Sequence, residues 1–95
     1  MEHVELKDKI PPHNLDAEQA VLGALLLDWD AMSDVATQLS PDRFYSFQNQ
    51  VVYEGLSSLN RQNIRGDILT LKDELTKTGK LEQAGGAAYI ASLTE

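Results

Sequence analysis

The sequence predicts an all-α fold, a compact bundle of five to six short helices with no sheet. Apolar residues recur at helical spacing along most of the chain. Capping residues stand where those runs begin and glycines where they stop. Strand signals are nearly absent: no alternating run exceeds a few residues, and neither Asn-Gly nor Asp-Gly occurs.

Residues 1–13 read as a flexible N-terminal arm ending in Pro11-Pro12, because paired prolines cannot sit inside a helix. The helical head spans 14–95. Asn14 caps a first helix, and Asp16 and Glu18 follow in its first turn, where negative charge complements the helix dipole. From Leu15 to Leu27 this helix is apolar on most sides, which predicts a central place in the bundle. Gly23 in its middle sacrifices about 1 kcal/mol of helix propensity, so it is expected to admit another helix closely.

A second helix is expected from Asp30 to Leu39, with Met32, Val35, Ala36 and Leu39 on one stripe. Trp29 precedes it as a core plug or half-exposed lid. Ser40-Pro41-Asp42 starts a single turn that delivers Phe44, Tyr45 and Phe47 to the core. Ser46 caps a helix to about Arg61, with Val52, Leu56 and Leu59 buried. Asn60 to Gly66 is polar loop apart from Ile64. Asp67 caps the next helix, with Ile68, Leu71 and Leu75 inward. Gly79 stops that helix in a left-handed conformation, with Leu81 folding back as its hydrophobic contact. Gly85-Gly86 makes a tight turn before a last helix from about Ala87.

Composition narrows the function. Apolar residues make up 42% and charged residues 24%, ordinary for a soluble globular domain. There is no cysteine, so disulfides and thiolate metal sites are excluded. No stretch approaches the roughly 20 apolar residues of a membrane span, and the start lacks a signal peptide's apolar run; a cytoplasmic protein is expected. The net charge of −7 makes a poor surface for nucleic acid, whose affinity rests on Lys and Arg. The charge is uneven. Residues 1–60 carry three basic and ten acidic side chains, and residues 61–80 five basic and three acidic ones. That polarity suits a protein partner or a second copy of the chain.

Catalytic and cofactor signatures are missing. No phosphate-binding glycine loop occurs: Gly79-Lys80 has Glu74, not glycine, five positions upstream. His3 and His13 have no second ligand at metal spacing. Asp28 and Asp30 flank a helix boundary, and Ser46, Ser57 and Ser58 have no histidine in reach. The chain is expected to hold no catalytic residue, metal or cofactor.

Four ordered motifs carry a resemblance. Pro12-His13-Asn14-Leu15-Asp16-Ala17-Glu18-Gln19-Ala20-Val21-Leu22-Gly23 is followed by Phe44-Tyr45, then Asp67-Ile68-Leu69-Thr70-Leu71, then Gly85-Gly86-Ala87-Ala88-Tyr89-Ile90. Together they resemble the N-terminal domain of DnaB-type replicative DNA helicases over about residues 11–95. The resemblance implies a helical head that precedes, in a longer protein, a helical hairpin and an ATP- and Mg-dependent motor domain. It implies other helicase subunits as partners, six to a ring, and docking of the helicase-binding C-terminal domain of primase. Without the hairpin, a monomer or weak dimer is expected. Two partner-contact positions carry over: Asp16, where the family more often has Glu, and Tyr89. A free-standing or phage-encoded interaction module using the same head is the alternative.

Overall fold

The computed structural model describes residues 14–95. The N-terminal arm, Pro11-Pro12, His3 and His13 lie outside them. Five α-helices run in order: α1 (Leu15–Leu27), α2 (Met32–Ala36), α3 (Phe47–Arg61), α4 (Ile68–Lys77) and α5 (Gly86–Ser92). Short 3-10 turns at Trp29–Ala31 and Pro41–Arg43 link the first three, and no strand occurs among the described residues.

The helix starts follow their caps. Asn14 accepts the Ala17 N–H at 2.9 Å, and Ser46 accepts the Asn49 N–H at 3.2 Å. Asp67 and Thr70 form a reciprocal capping box on α4, each such cap contributing about 1 kcal/mol. The ends are equally defined. After α4, Gly79 takes φ 73°, Lys80 N–H reaches the Leu75 carbonyl at 2.8 Å and Gly79 N–H the Thr76 carbonyl at 3.1 Å. This paired pattern satisfies two orphan carbonyls. After α3, Asn63 (φ 60°) repeats it, with Ile64 N–H bonded to the Leu59 carbonyl at 2.9 Å. The predicted Leu81 contact is present: Leu81 packs, partly buried, on the core.

The predicted second helix is shorter than expected. Its first turn is 3-10, and α2 ends at Ala36, which is exposed. Thr37 Oγ1 donates to the Asp34 carbonyl at 2.7 Å, a local bond that competes with continuation of the helix. Met32, Val35 and Leu39 are buried as the stripe requires. Trp29 is half-buried, its ring against Gly66.

Two expectations are corrected. The centre of the bundle is α3, which packs against α1, α2, α4 and the Pro41–Arg43 turn and buries Val51, Val52, Tyr53, Leu56 and Leu59. Helix α1 is instead a wall. Leu22, Leu25 and Leu26 face inward, while Ala20, Ala24 and Leu27 face out, Leu27 at 71% exposure. Two of the residues that α1 turns outward, Ala20 and Ala24, are alanines, which cost little when left in water.

The aromatic core also differs. Phe44 is buried, but Tyr45 and Phe47 are 61% and 62% exposed. Phe44 has extended backbone (φ −85°, ψ 131°), and extended residues alternate faces, so seating Phe44 turns Tyr45 outward. Tyr53 takes the vacant role. Its ring centroid lies 5.2 Å from that of Phe44, and its hydroxyl donates to the Leu39 carbonyl at 2.6 Å.

Gly23 is a true close approach. A Cβ added there would stand 2.1 Å from the Leu93 carbonyl oxygen at the end of α5. Gly23→Ala is therefore expected to destabilise the domain by about 1–3 kcal/mol through overpacking, against a propensity gain near 1 kcal/mol. A thermal melt should show Tm falling by at least about 4 °C; an unchanged or higher Tm would mean that α1 and α5 do not meet here.

Candidate interaction site

The chemistry of this molecule is concentrated in buried polar groups rather than in a reactive cluster. No grouping of His, Asp or Glu able to hold a metal occurs among the described residues. None of their helices is long and apolar enough to cross a membrane.

Glu18 is the residue whose burial sequence reasoning missed. It lies in the first turn of α1 as expected, but a dipole role does not require burial, and it is 0% exposed. Its carboxyl accepts the Tyr45 N–H at 2.6 Å, the Ser46 N–H at 3.3 Å and the Asn49 side-chain amide at 2.9 Å. Ser46 is the N-cap of α3, so the acid of one helix terminates the backbone of another, where a negative group is favoured. Gln50 Nε2 closes the same corner on the Phe44 carbonyl at 2.7 Å. A buried acid in an otherwise apolar helix was the available signal, since Glu18 lies on the same face as Leu22 and Leu25.

Asn49, also buried and also missed, passes the network on. Its amide N–H donates to Glu18 while its Oδ1 accepts the Tyr89 hydroxyl. The structure thus joins α1, α3 and α5 through Glu18, Asn49 and Tyr89. Tyr89 is half-buried. Burial pushes its phenol above the ordinary tyrosine value, partly offset by hydrogen bonding from Gln48 and Gln19. It therefore remains a proton donor at neutral pH. Asp16 is exposed in the first turn of α1, one turn before Gln19. The sequence-derived pair therefore shares one end of the molecule without direct contact. Exposed Leu15, Tyr45 and Phe47 belong to the same helix ends.

A second buried acid sits toward the other end of α3. Glu74 accepts from Ser58 Oγ at 2.9 Å and Gln62 Nε2 at 3.3 Å, and pairs with Lys77 at 3.5 Å. Here a helix C-terminus gives no help, so side chains supply the donors. It borders a cleft of about 910 Å³ that runs over α3 between residues 36–43 and the end of α4.

Two outcomes test these networks. Glu18→Gln keeps one acceptor oxygen but sets an amide donor against at least one of the three N–H donors, and should cost about 1–3 kcal/mol in urea unfolding; a neutral result would mean that the carboxyl is not the acceptor. Glu74 is held below the usual carboxylate value, chiefly by the Ser58 hydrogen bond and then by Gln62 and Lys77, against desolvation. A depressed folded-state value adds stability above the unfolded value near 4.3 that is lost as pH falls through the folded one. The stability gap between wild type and Glu74→Gln should accordingly be widest above about pH 5 and shrink on acidification. A gap that does not change with pH would contradict the assignment.

Comparison with known proteins agrees with this architecture. The family described as DnaB-like helicase N terminal domain matches residues 10–95. The replicative DNA helicase DnaB of Treponema pallidum (strain Nichols) is 50% identical over 91 residues, 96% of this chain and 21% of that protein. The replicative DNA helicase DnaC of Bacillus subtilis (strain 168) is 38% identical over 88 residues, 93% of this chain and 19% of that protein. The crystal structure of the N-terminal domain of DnaB helicase from Mycobacterium tuberculosis superposes with a TM-score of 0.80 at 40% identity, covering 90% of this chain and 59% of that one. The chain spans about a fifth of the length of these curated relatives. With a helical head of matching fold and a family match across nearly its whole length, the chain belongs to the DnaB-like helicase N-terminal domain family.

Proposed function

We propose that this head is the protein-docking part of a cytoplasmic replicative helicase, contributing to ring assembly and to capture of the C-terminal helicase-binding domain of primase. ATP and Mg would act in a motor portion outside this chain, which itself carries no phosphate-binding loop. Direct DNA binding by the head is not expected at a net charge of −7.

The observation that carries the reading is the face at the N-terminal ends of α1 and α3. Phe47 stands 62% exposed there, two residues before Asn49, which accepts the Tyr89 hydroxyl. Aromatic side chains are favoured interface anchors, because they bury much area at little entropic cost. Asp16 adds an exposed charge at the rim, where electrostatics steers encounter.

Tyr89 enters this reading through its ring. Its hydroxyl is committed to Asn49, so a partner would meet the ring and its surroundings rather than the hydroxyl. Tyr89→Ala would weaken both fold and docking and cannot separate them. Phe47→Ala separates them. In the full-length helicase it should weaken primase binding about tenfold or more, while Tm of the head changes little, as for most exposed positions. Asp16→Asn should act in the same direction, mainly through a slower and less salt-sensitive association. Undiminished primase affinity in both variants would remove this face from the proposal.

A further inference from the structure

The cleft over α3 has a composition unlike the rest of the surface. Its floor runs from Val51 to Arg61, about 15 Å of helix at 1.5 Å per residue. Leu39, Val51 and Leu75 close it from below, and all three belong to the buried core. Arg43 stands on the wall leading into α3, Arg61 at the far end of the floor and Lys80 just past α4. The described residues hold six cations, Arg43, Arg61, Arg65, Lys72, Lys77 and Lys80, and three of them line this one cleft. Among the described residues, Arg61 and Lys80 form no ion pair. Of the two acids in the cleft, Glu74 is already engaged by Ser58, Gln62 and Lys77, which leaves Glu54.

We propose that this cleft docks a short acidic segment of a partner protein. Carboxylates of the segment meet Arg43, Arg61 and Lys80, and its polar side chains lie along a floor that carries Ser57, Ser58 and Asn60. Charge complementarity decides the occupant, since cations gathered on one groove of an otherwise acidic domain favour a negative ligand. The length of the floor suits about three turns of a helix. Nucleic acid fits less well. No aromatic ring lines the cleft to stack bases, two carboxylates face it, and the whole chain is acidic. The site is independent of the Tyr89 face, whose Asn49 contact precedes the start of the cleft floor on α3.

Peptide selection tests the proposal. A random display library of peptides about twelve residues long, enough to span the floor as a helix, is selected on the 95-residue chain. Enriched peptides should be acidic. A synthetic member should shift the backbone amide NMR signals of Thr37, Leu39, Ser58 and Thr78. It should also bind Arg43→Glu/Arg61→Glu about tenfold more weakly, with a thermal melt confirming that this variant folds. Should it not fold, Lys80→Glu alone serves, with the same direction expected. Enriched peptides without acidic bias, or amide shifts confined to the Tyr89 face, overturn the proposal. Equal shifts in the cleft with a single-stranded oligonucleotide of similar length would replace the peptide by nucleic acid.

Discussion

A carboxyl group with no exposure must find its hydrogen bonds inside the protein or unfold it. Glu18 finds three, two from the backbone entering α3 and one from Asn49. That requirement ties α1 to one particular turn of chain, because only N–H groups that α3 leaves unpaired can serve. The bonds bring the corner at residues 44–46 against α1. With the corner held, Phe44 points into the core and Tyr45 and Phe47 point out. Asn49 then has one orientation available, since its N–H side must face Glu18 and its oxygen is left for Tyr89. A buried polar chain of this kind is weak evidence for net stability, but each member constrains the next, so the helices have one way to meet.

The two buried acids show how one helix treats its ends differently. Glu18 lies off the positive end of α3 and needs few side chains. Glu74 lies toward the other end and is held by Ser58, Gln62 and Lys77. Both are satisfied, in keeping with the absence of any unpartnered buried side-chain atom among the described residues. Between them α3 carries the apolar core. The molecule is therefore organised along α3, with an aromatic face at its N-terminal end and a cationic cleft over the rest.

Local signals were legible in the sequence. Asn14, Ser46 and Asp67 cap the helices they were expected to cap, Gly79 takes the left-handed conformation, and Gly23 admits α5. Each of these depends on a few neighbouring residues and their backbone geometry. What failed depends on distant parts of the chain. Glu18 looks like a dipole residue until the Tyr45 and Ser46 N–H groups, 27 and 28 positions away, arrive to bind it. Three aromatics close together look like core until a turn decides which of them faces inward. The apolar character of α1 predicted a central helix, yet hydrophobicity cannot distinguish a centre from a wall whose outer face carries Leu15, Ala20, Ala24 and Leu27. Asp16 and Tyr89 came from resemblance alone, and periodicity would have nominated neither.

On the proposals above, fold and docking would share residues on the Tyr89 face and separate on the cleft. Tyr89 is bonded into the network that sets the α1–α3–α5 arrangement, so any displacement of its ring acts on Asn49 and, through it, on Glu18 and the start of α3. That is a chain of hydrogen bonds with defined donors and acceptors, and any movement of Tyr89 must either carry Asn49 with it or leave a buried amide oxygen unpaired. The cationic side chains of the cleft carry no comparable load, because Arg61 and Lys80 pair with nothing among the described residues. Occupying the cleft would neutralise charges without disturbing a buried bond. The polar groups of the first surface are thus bonded into the fold and the cations of the second are not, a difference that follows from where each is satisfied.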